Sequence, residues 1–307
     1  QPAAMHTSLP AEAGLARLPL DLQEPVLLMA VAGSRMVLLS HRGEEQARHL
    51  HLYDFPAMTP LAHAVLEARW QLDYLAYDHL GFLQDGRIYV LSLYTGTLLV
   101  FDADLGSREE VVFGPEAAFH SALVQGDGEV IWAADHKGQI TGFQVASGRG
   151  QQVVPQLPPG WQLDHFLASE KGRLRSRYDR EGLSVVVEMD LDGRSNITPV
   201  LPGVTWLSGH QALFSGRSLA LLYTPGQQEM LELAAWELWE SPLSLAADAL
   251  FTIHYQGEQV VLKRYDLNRR LLGNRLEVPQ VLGDLLFSQA LPIGEGRVLL
   301  LYQGLET

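Results

Sequence analysis

Gly86-Arg87-Ile88-Tyr89-Val90-Leu91, then Tyr94-Thr95-Gly96, then Thr97-Leu98-Leu99-Val100-Phe101-Asp102, and finally Glu110-Val111-Val112-Phe113 form the stretch on which the reading turns. Runs of β-branched and aromatic residues enclose a turn ending in Gly, the signature of antiparallel strands joined tightly. A further apolar run at residues 80–83, before Asp85-Gly86, supplies an earlier strand. The next unit repeats the order. Residues 122–124 precede Asp127-Gly128, and Gly128-Glu129-Val130-Ile131-Trp132 follows. Then come the polar turn Asp135-His136-Lys137-Gly138, the run Gln139-Ile140-Thr141-Gly142-Phe143-Gln144-Val145, and Ser147-Gly148.

Outward from these two units the same run, Gly turn and run recur. Residues 26–31 precede Gly33, 166–168 precede Lys171-Gly172, 212–214 precede Ser215-Gly216, and 285–291 precede Glu295-Gly296. With a weaker unit turning near Asp248, Gly33 to Gly296 divides into six steps of about 44 residues, the length of a four-stranded propeller blade. The grammar of residues 86–106, a strand, a Gly turn and a strand ending in Asp, resembles the blades of quinoprotein-like and WD-repeat propellers. The likeness is close over residues 86–148 and looser elsewhere. It implies a fold and is nearly silent on activity. A second echo, Trp70-Gln71-Leu72-Asp73 and Trp161-Gln162-Leu163-Asp164, lies about two units apart.

The expected fold is therefore all-β, a seven-bladed β-propeller of four-stranded antiparallel blades. It would be a single domain over residues 11–307 after a flexible tail at residues 1–10. The last unit shows two clear strands, at 285–291 and 297–302, so a strand near residues 15–20 is expected to complete it and close the ring. Pro158-Pro159-Gly160 and Pro202-Gly203 read as loops between blades, and residues 229–240 as a strand in preference to a short helix.

Composition narrows the function. Of 307 residues 47% are apolar and 19% charged, enough to bury a large core and too apolar for a disordered chain. The longest apolar run, residues 26–33, falls far short of the ~20 residues a membrane-spanning helix needs. A net charge of −14 repels phosphate backbones and anionic lipid, which excludes nucleic acid as a main ligand. With no Cys there is no disulfide, thiolate metal site or cysteine nucleophile. The opening Gln1-Pro2-Ala3-Ala4 lacks an initiator Met, and suggests a processed periplasmic or secreted protein, with room for a lipid anchor upstream of residue 1.

Familiar catalytic signatures are missing: no Gly-x-Ser-x-Gly elbow, no Walker phosphate loop, no Gly-x-Gly-x-x-Gly fingerprint, no His-Glu-x-x-His helix. The recurring polar feature is a His six to eight residues before the turn Gly in four units: His79, His120, His165 and His210. On innermost strands they would converge at one mouth of a central channel and hold copper or zinc, with Asp78 and Asp164 beside two of them. The competing reading makes each a structural tie between blades. It gains weight from the drifting spacing, because an odd shift turns a side chain to the other face. His49-Leu50-His51 places two imidazoles on one strand face, too few ligands alone, and reads as a solvated outer strand. Trp70, Trp161 and Trp206 would line a ligand mouth or plug the space between blades. Asp73, Asp164 and Asp284 would offer calcium ligands or acid/base groups.

Two functions stand. The first is an extracytoplasmic scaffold or assembly subunit that binds another protein. The second is a metal-binding or enzymatic propeller with its His/Asp site at the channel mouth. A small-ligand receptor is a third possibility that sequence does not separate from these.

Overall fold

The computed structural model describes residues 18, 20, 22, 24–42, 47–66, 78–200, 204–208, 211–215, 220–223, 230–233, 240–245, 249–266, 271–293 and 297–304. These residues form strands and no helix. None of them belongs to a helix long and apolar enough to cross a membrane. The tail at residues 1–10 and the second-echo partner at 70–73 lie outside the described residues, as does most of the expected strand at 15–20. The chain divides into two compact units, Val26–Pro202 and Gln1–Pro25 with Gly203–Thr307.

The unit Val26–Pro202 holds four sheets of four strands. The first is β1 (Val26–Ala32), β2 (Arg35–Arg42), β3 (Ala47–Asp54) and β4 (Thr59–Val65). The second is β5 (Asp78–Phe82), β6 (Ile88–Ser92), β7 (Thr97–Phe101) and β8 (Arg108–Val112). The third is β9 (Phe119–Val124), β10 (Val130–Asp135), β11 (Ile140–Gln144) and β12 (Arg149–Val153). The fourth is β13 (Gln162–Glu170), β14 (Arg173–Arg180), β15 (Leu183–Asp190) and β16 (Ser195–Val200). Each is an antiparallel meander in chain order. β1 lies beside β5 and β9 beside β13, so neighbouring sheets meet along their first strands.

Period-two alternation explains the core. Ile88, Val90, Leu99 and Phe101 pack against Val37, Leu39, Leu50 and Leu52 of the first sheet. Their neighbours Leu91, Leu98 and Val100 turn the other way, onto Ala122, Val124, Ile131 and Ala133. Val130, Trp132 and Ala134 then face Leu174, Tyr178, Val185, Val187 and Met189 of the fourth sheet. A sheet buried on both faces needs apolar residues at every position, which is why all five residues of β7 are buried and read as an unbroken run.

The Asp-Gly turns have a physical cause. Asp85, Asp127 and Asp135 each accept the backbone N–H two residues on, from Arg87 (3.0 Å), Glu129 (3.1 Å) and Lys137 (2.8 Å). Such side-chain caps fix the tight reversal between paired strands. In the Tyr94-Thr95-Gly96 turn, Gly96 has φ +59° and any Cβ there would lie 2.5 Å from the Gly114 carbonyl oxygen. Only Gly fits.

On the fourth sheet, Arg173 Nη1 and Arg175 Nε donate to Glu188 at 3.0 and 2.7 Å. Partial burial pushes the Glu188 pKa up, but the two guanidiniums outweigh it and hold the carboxyl below its ordinary value. A folded-state pKa below the unfolded one stabilises the fold above the ordinary carboxylate range, and that stabilisation is lost as pH falls through the folded value. Glu188→Gln is therefore expected to lower the urea midpoint at neutral pH, with the gap to wild type closing below about pH 4. A gap that widens in acid contradicts this assignment.

In the second unit, β17 (Val204–Ser208), β18 (Gln211–Ser215), β19 (Ala220–Tyr223) and β20 (Met230–Leu233) form one sheet. β21 (Ser241–Leu245), β22 (Ala249–Gln256), β23 (Gln259–Asp266) and β24 (Leu271–Pro279) form the next. β25 (Val281–Leu282), β26 (Leu285–Pro292) and β27 (Val298–Gly304) make a three-stranded sheet. β26 and β27 are the two strands expected at the C-terminal end, and β20 bears out a strand over part of 229–240, of which residues 229 and 234–239 lie outside the described residues. Asp248, near which a turn is expected, lies outside the described residues; the strands before and after it, β21 and β22, are paired. One phase is corrected. Residues 212–214 lie on β18, the second strand of their sheet, because β17 precedes it and pairs with it through Ser208 and Gln211. Ser215 thus ends the second strand of its sheet, not the first.

Candidate functional site

β3 and β4 bring three imidazoles together. His49 and His51 are two residues apart and share the face of β3 opposite Leu50 and Leu52. His51 pairs directly with His63 of β4, and His49 with Val65. A register shift between Leu52 and Tyr53 sets this alignment. Beyond Tyr53, Asp54 pairs with Thr59 and Tyr53 with Pro60, so an unbroken ladder would put Ala62, not His63, opposite His51. The bulge supplies the extra residue. Ring centroids stand 6.0 Å apart for His49 and His51, 5.0 Å for His49 and His63, and 4.9 Å for His51 and His63.

One ligand atom from each of the three lies within 4.8 Å of the other two, a grouping of three that could hold a metal ion. His49 is buried, His51 half-buried and His63 exposed. Ser40, wholly buried on β2, sets its Oγ 2.9 Å from His51 Nε2, and Tyr53 stacks on the same imidazole. The solvated outer strand read from the sequence is thus a largely buried third strand, since β3 is covered on both faces. His63 was missed because β4 alternates weakly and carries Pro60.

The expected residues fall as follows. Asp78 opens β5 and His79 follows it, paired with Leu91. His79 is partly exposed, and desolvation of the rest of its ring lowers its pKa. His120 is the extra residue of a bulge on β9, where Ala134 pairs with Ser121 and Asp135 with Phe119. Its ring lies 6.0 Å from that of His136. His165 Nδ1 contacts Asp164 Oδ2 at 2.7 Å, and Arg177 Nε reaches the same oxygen at 3.5 Å while donating to Asp179 at 3.0 Å. Trp161 packs onto the slab between the third and fourth sheets. Trp206 lies on β17, and Asp284 sits in the exposed turn between β25 and β26. Trp70, Asp73 and His210 lie outside the described residues.

No family model matches the chain, and no curated protein matches it. Solved structures do. A catalytically inactive virginiamycin B lyase from Staphylococcus aureus, bound to quinupristin, is 12% identical, with a TM-score of 0.55 over 92% of this chain and 94% of that one. The RRP9 WD40 repeats are 11% identical, with a TM-score of 0.54 over 88% of each chain. KlHsv2 with one loop replaced by a Gly-Ser linker is 10% identical, with a TM-score of 0.56 over 92% of this chain and 90% of that one. The fold is a β-propeller. At these identities the likeness concerns the fold of the propeller alone, because one such scaffold carries many unrelated sites.

Proposed function

We propose that this propeller is a scaffold that docks a basic protein partner through its β25–β26 hairpin, in an extracytoplasmic compartment. The observation that carries the reading is the surface of that hairpin. Val281 pairs with Leu286 and Leu282 with Leu285, and Val281, Leu285 and Leu286 are 58%, 37% and 39% exposed. Tyr255, 61% exposed, stands edge-on at 6.4 Å to the buried Phe287, which shares a strand face with Leu285, while Val281 and Leu286 occupy the other face of the same hairpin. Clustered exposed apolar side chains mark contact surfaces, and an aromatic backed by a packed ring is the usual anchor of one. The net charge of −14 steers a basic partner towards the chain, and a cysteine-free composition is compatible with an oxidising compartment.

A photo-crosslinking side chain at Leu286, introduced in the native host, is expected to capture one basic protein, and fractionation to recover the complex outside the cytoplasm. Tyr255→Ala is expected to weaken that complex by about 30-fold or more with the urea midpoint unchanged. Crosslinks that form from Leu61 on β4 and never from Leu286 or Val281 would overturn the assignment.

A further inference from the structure

We infer that His49, His51 and His63 form a binding site for one late first-row divalent ion of the zinc or copper class. The inference is independent of the docking hairpin, since it rests on a different sheet and a different unit. Ligand nitrogens on such an ion lie about 2.0–2.1 Å from it, which places tetrahedral donors about 3.4 Å from one another. The three donors here already lie within 4.8 Å of each other on a paired β3–β4 ladder. Small rotations of the side chains close that gap without moving the backbone.

The chemistry selects the ion. Three imidazoles with no carboxylate suit zinc, copper or nickel, whereas calcium and magnesium require oxygen donors. Ser40 Oγ engages His51 Nε2 at 2.9 Å, so His51 ligates through Nδ1 and Ser40 orients the ring from behind. A hydrogen bond on the second ring nitrogen is what a ligating imidazole carries. Buried His49 closes one side of the site. Exposed His63 supplies the entry path and leaves a fourth position open to water or to a donor from another molecule.

The test uses the full chain, stripped with a chelator and titrated with zinc chloride by calorimetry, with cobalt absorption reporting geometry. One ion per chain is expected, with a tetrahedral cobalt spectrum. Ser40→Ala is expected to weaken zinc binding about 10–100-fold and His63→Ala by more than that. His63 is exposed on the outermost strand of its sheet, so His63→Ala should keep the wild-type far-UV spectrum. Zinc should also raise the melting temperature of wild type and not that of His63→Gln. The variant His79→Ala/His165→Ala serves as the comparison and is expected to bind as wild type does. Zinc affinity unchanged in His63→Ala, no binding by wild type, or binding lost from the His79→Ala/His165→Ala chain instead would each overturn the site.

Discussion

Glu240→Gln is expected to destabilise the chain by about 3–5 kcal/mol, because it strands a buried ammonium. The Glu240 and Lys263 side chains have no exposed surface, and Lys263 Nζ donates to Glu240 Oε2 at 2.8 Å. The other carboxylate oxygen accepts the Tyr265 hydroxyl at 2.8 Å and the Thr252 hydroxyl. Three donors from β22 and β23 thus converge on one acceptor just before β21. Glutamine keeps the shape but removes the charge, and it puts an N–H where an acceptor is needed. Urea unfolding measures the loss. Glu240→Gln/Lys263→Met is expected to be less damaging than Glu240→Gln alone, since removing both charges removes the uncompensated one. A single variant within about 1 kcal/mol of wild type would refute this account.

Trp132→Ala is expected to cost a similar amount, about 3–5 kcal/mol. Trp132 is fully buried between the third and fourth sheets, and its cross-strand partner is Gly142. That pairing is a fit of shapes. A Cβ on residue 142 would lie 3.0 Å from the indole and collide with Leu191. Gly81 stands opposite Tyr89 in the same way, where a Cβ would come within 2.7 Å of the phenol ring. Gly142→Ala is accordingly expected to destabilise by overpacking, and Trp132→Ala/Gly142→Ala to cost less than the sum of the two single changes. Additive losses in urea unfolding would show that the indole and the missing side chain do not share one space.

The turns and the strands beside them were the legible part of the fold. Asp85-Gly86, Asp127-Gly128 and the Gly96 turn act locally, so their residues announce them, and the strands of the second sheet and the first three of the third fall within a few residues of expectation, while β12 was not expected. Phase was harder to read. The 212–214 run has the apolar composition expected of a first strand, and nothing local in the sequence tells a first strand from a second. The histidines show the same limit. His49 and His51 were visible as a pair on one face, but the third member arrives through a bulge at Leu52 and Tyr53, and a one-residue register shift leaves no mark in composition. A bulge at His120 likewise absorbs part of the drifting spacing in the series that begins at His79.

Because strands in each sheet stack in the order in which they are made, every pairing closes a short loop, and a sheet is complete once its last strand leaves the ribosome. Its faces are not. The Trp132 side of the third sheet stays bare until β14 and β15 have been synthesised, an interval of several seconds at about 5–20 residues per second. Through that interval the newest open rim is β12, whose Arg149, Gln151 and Gln152 are exposed and polar. Arg108 and Glu109 hold the corresponding place on β8. A growing chain in a crowded polysome therefore offers its neighbours polar, partly charged rims for sideways pairing while its apolar faces wait for cover.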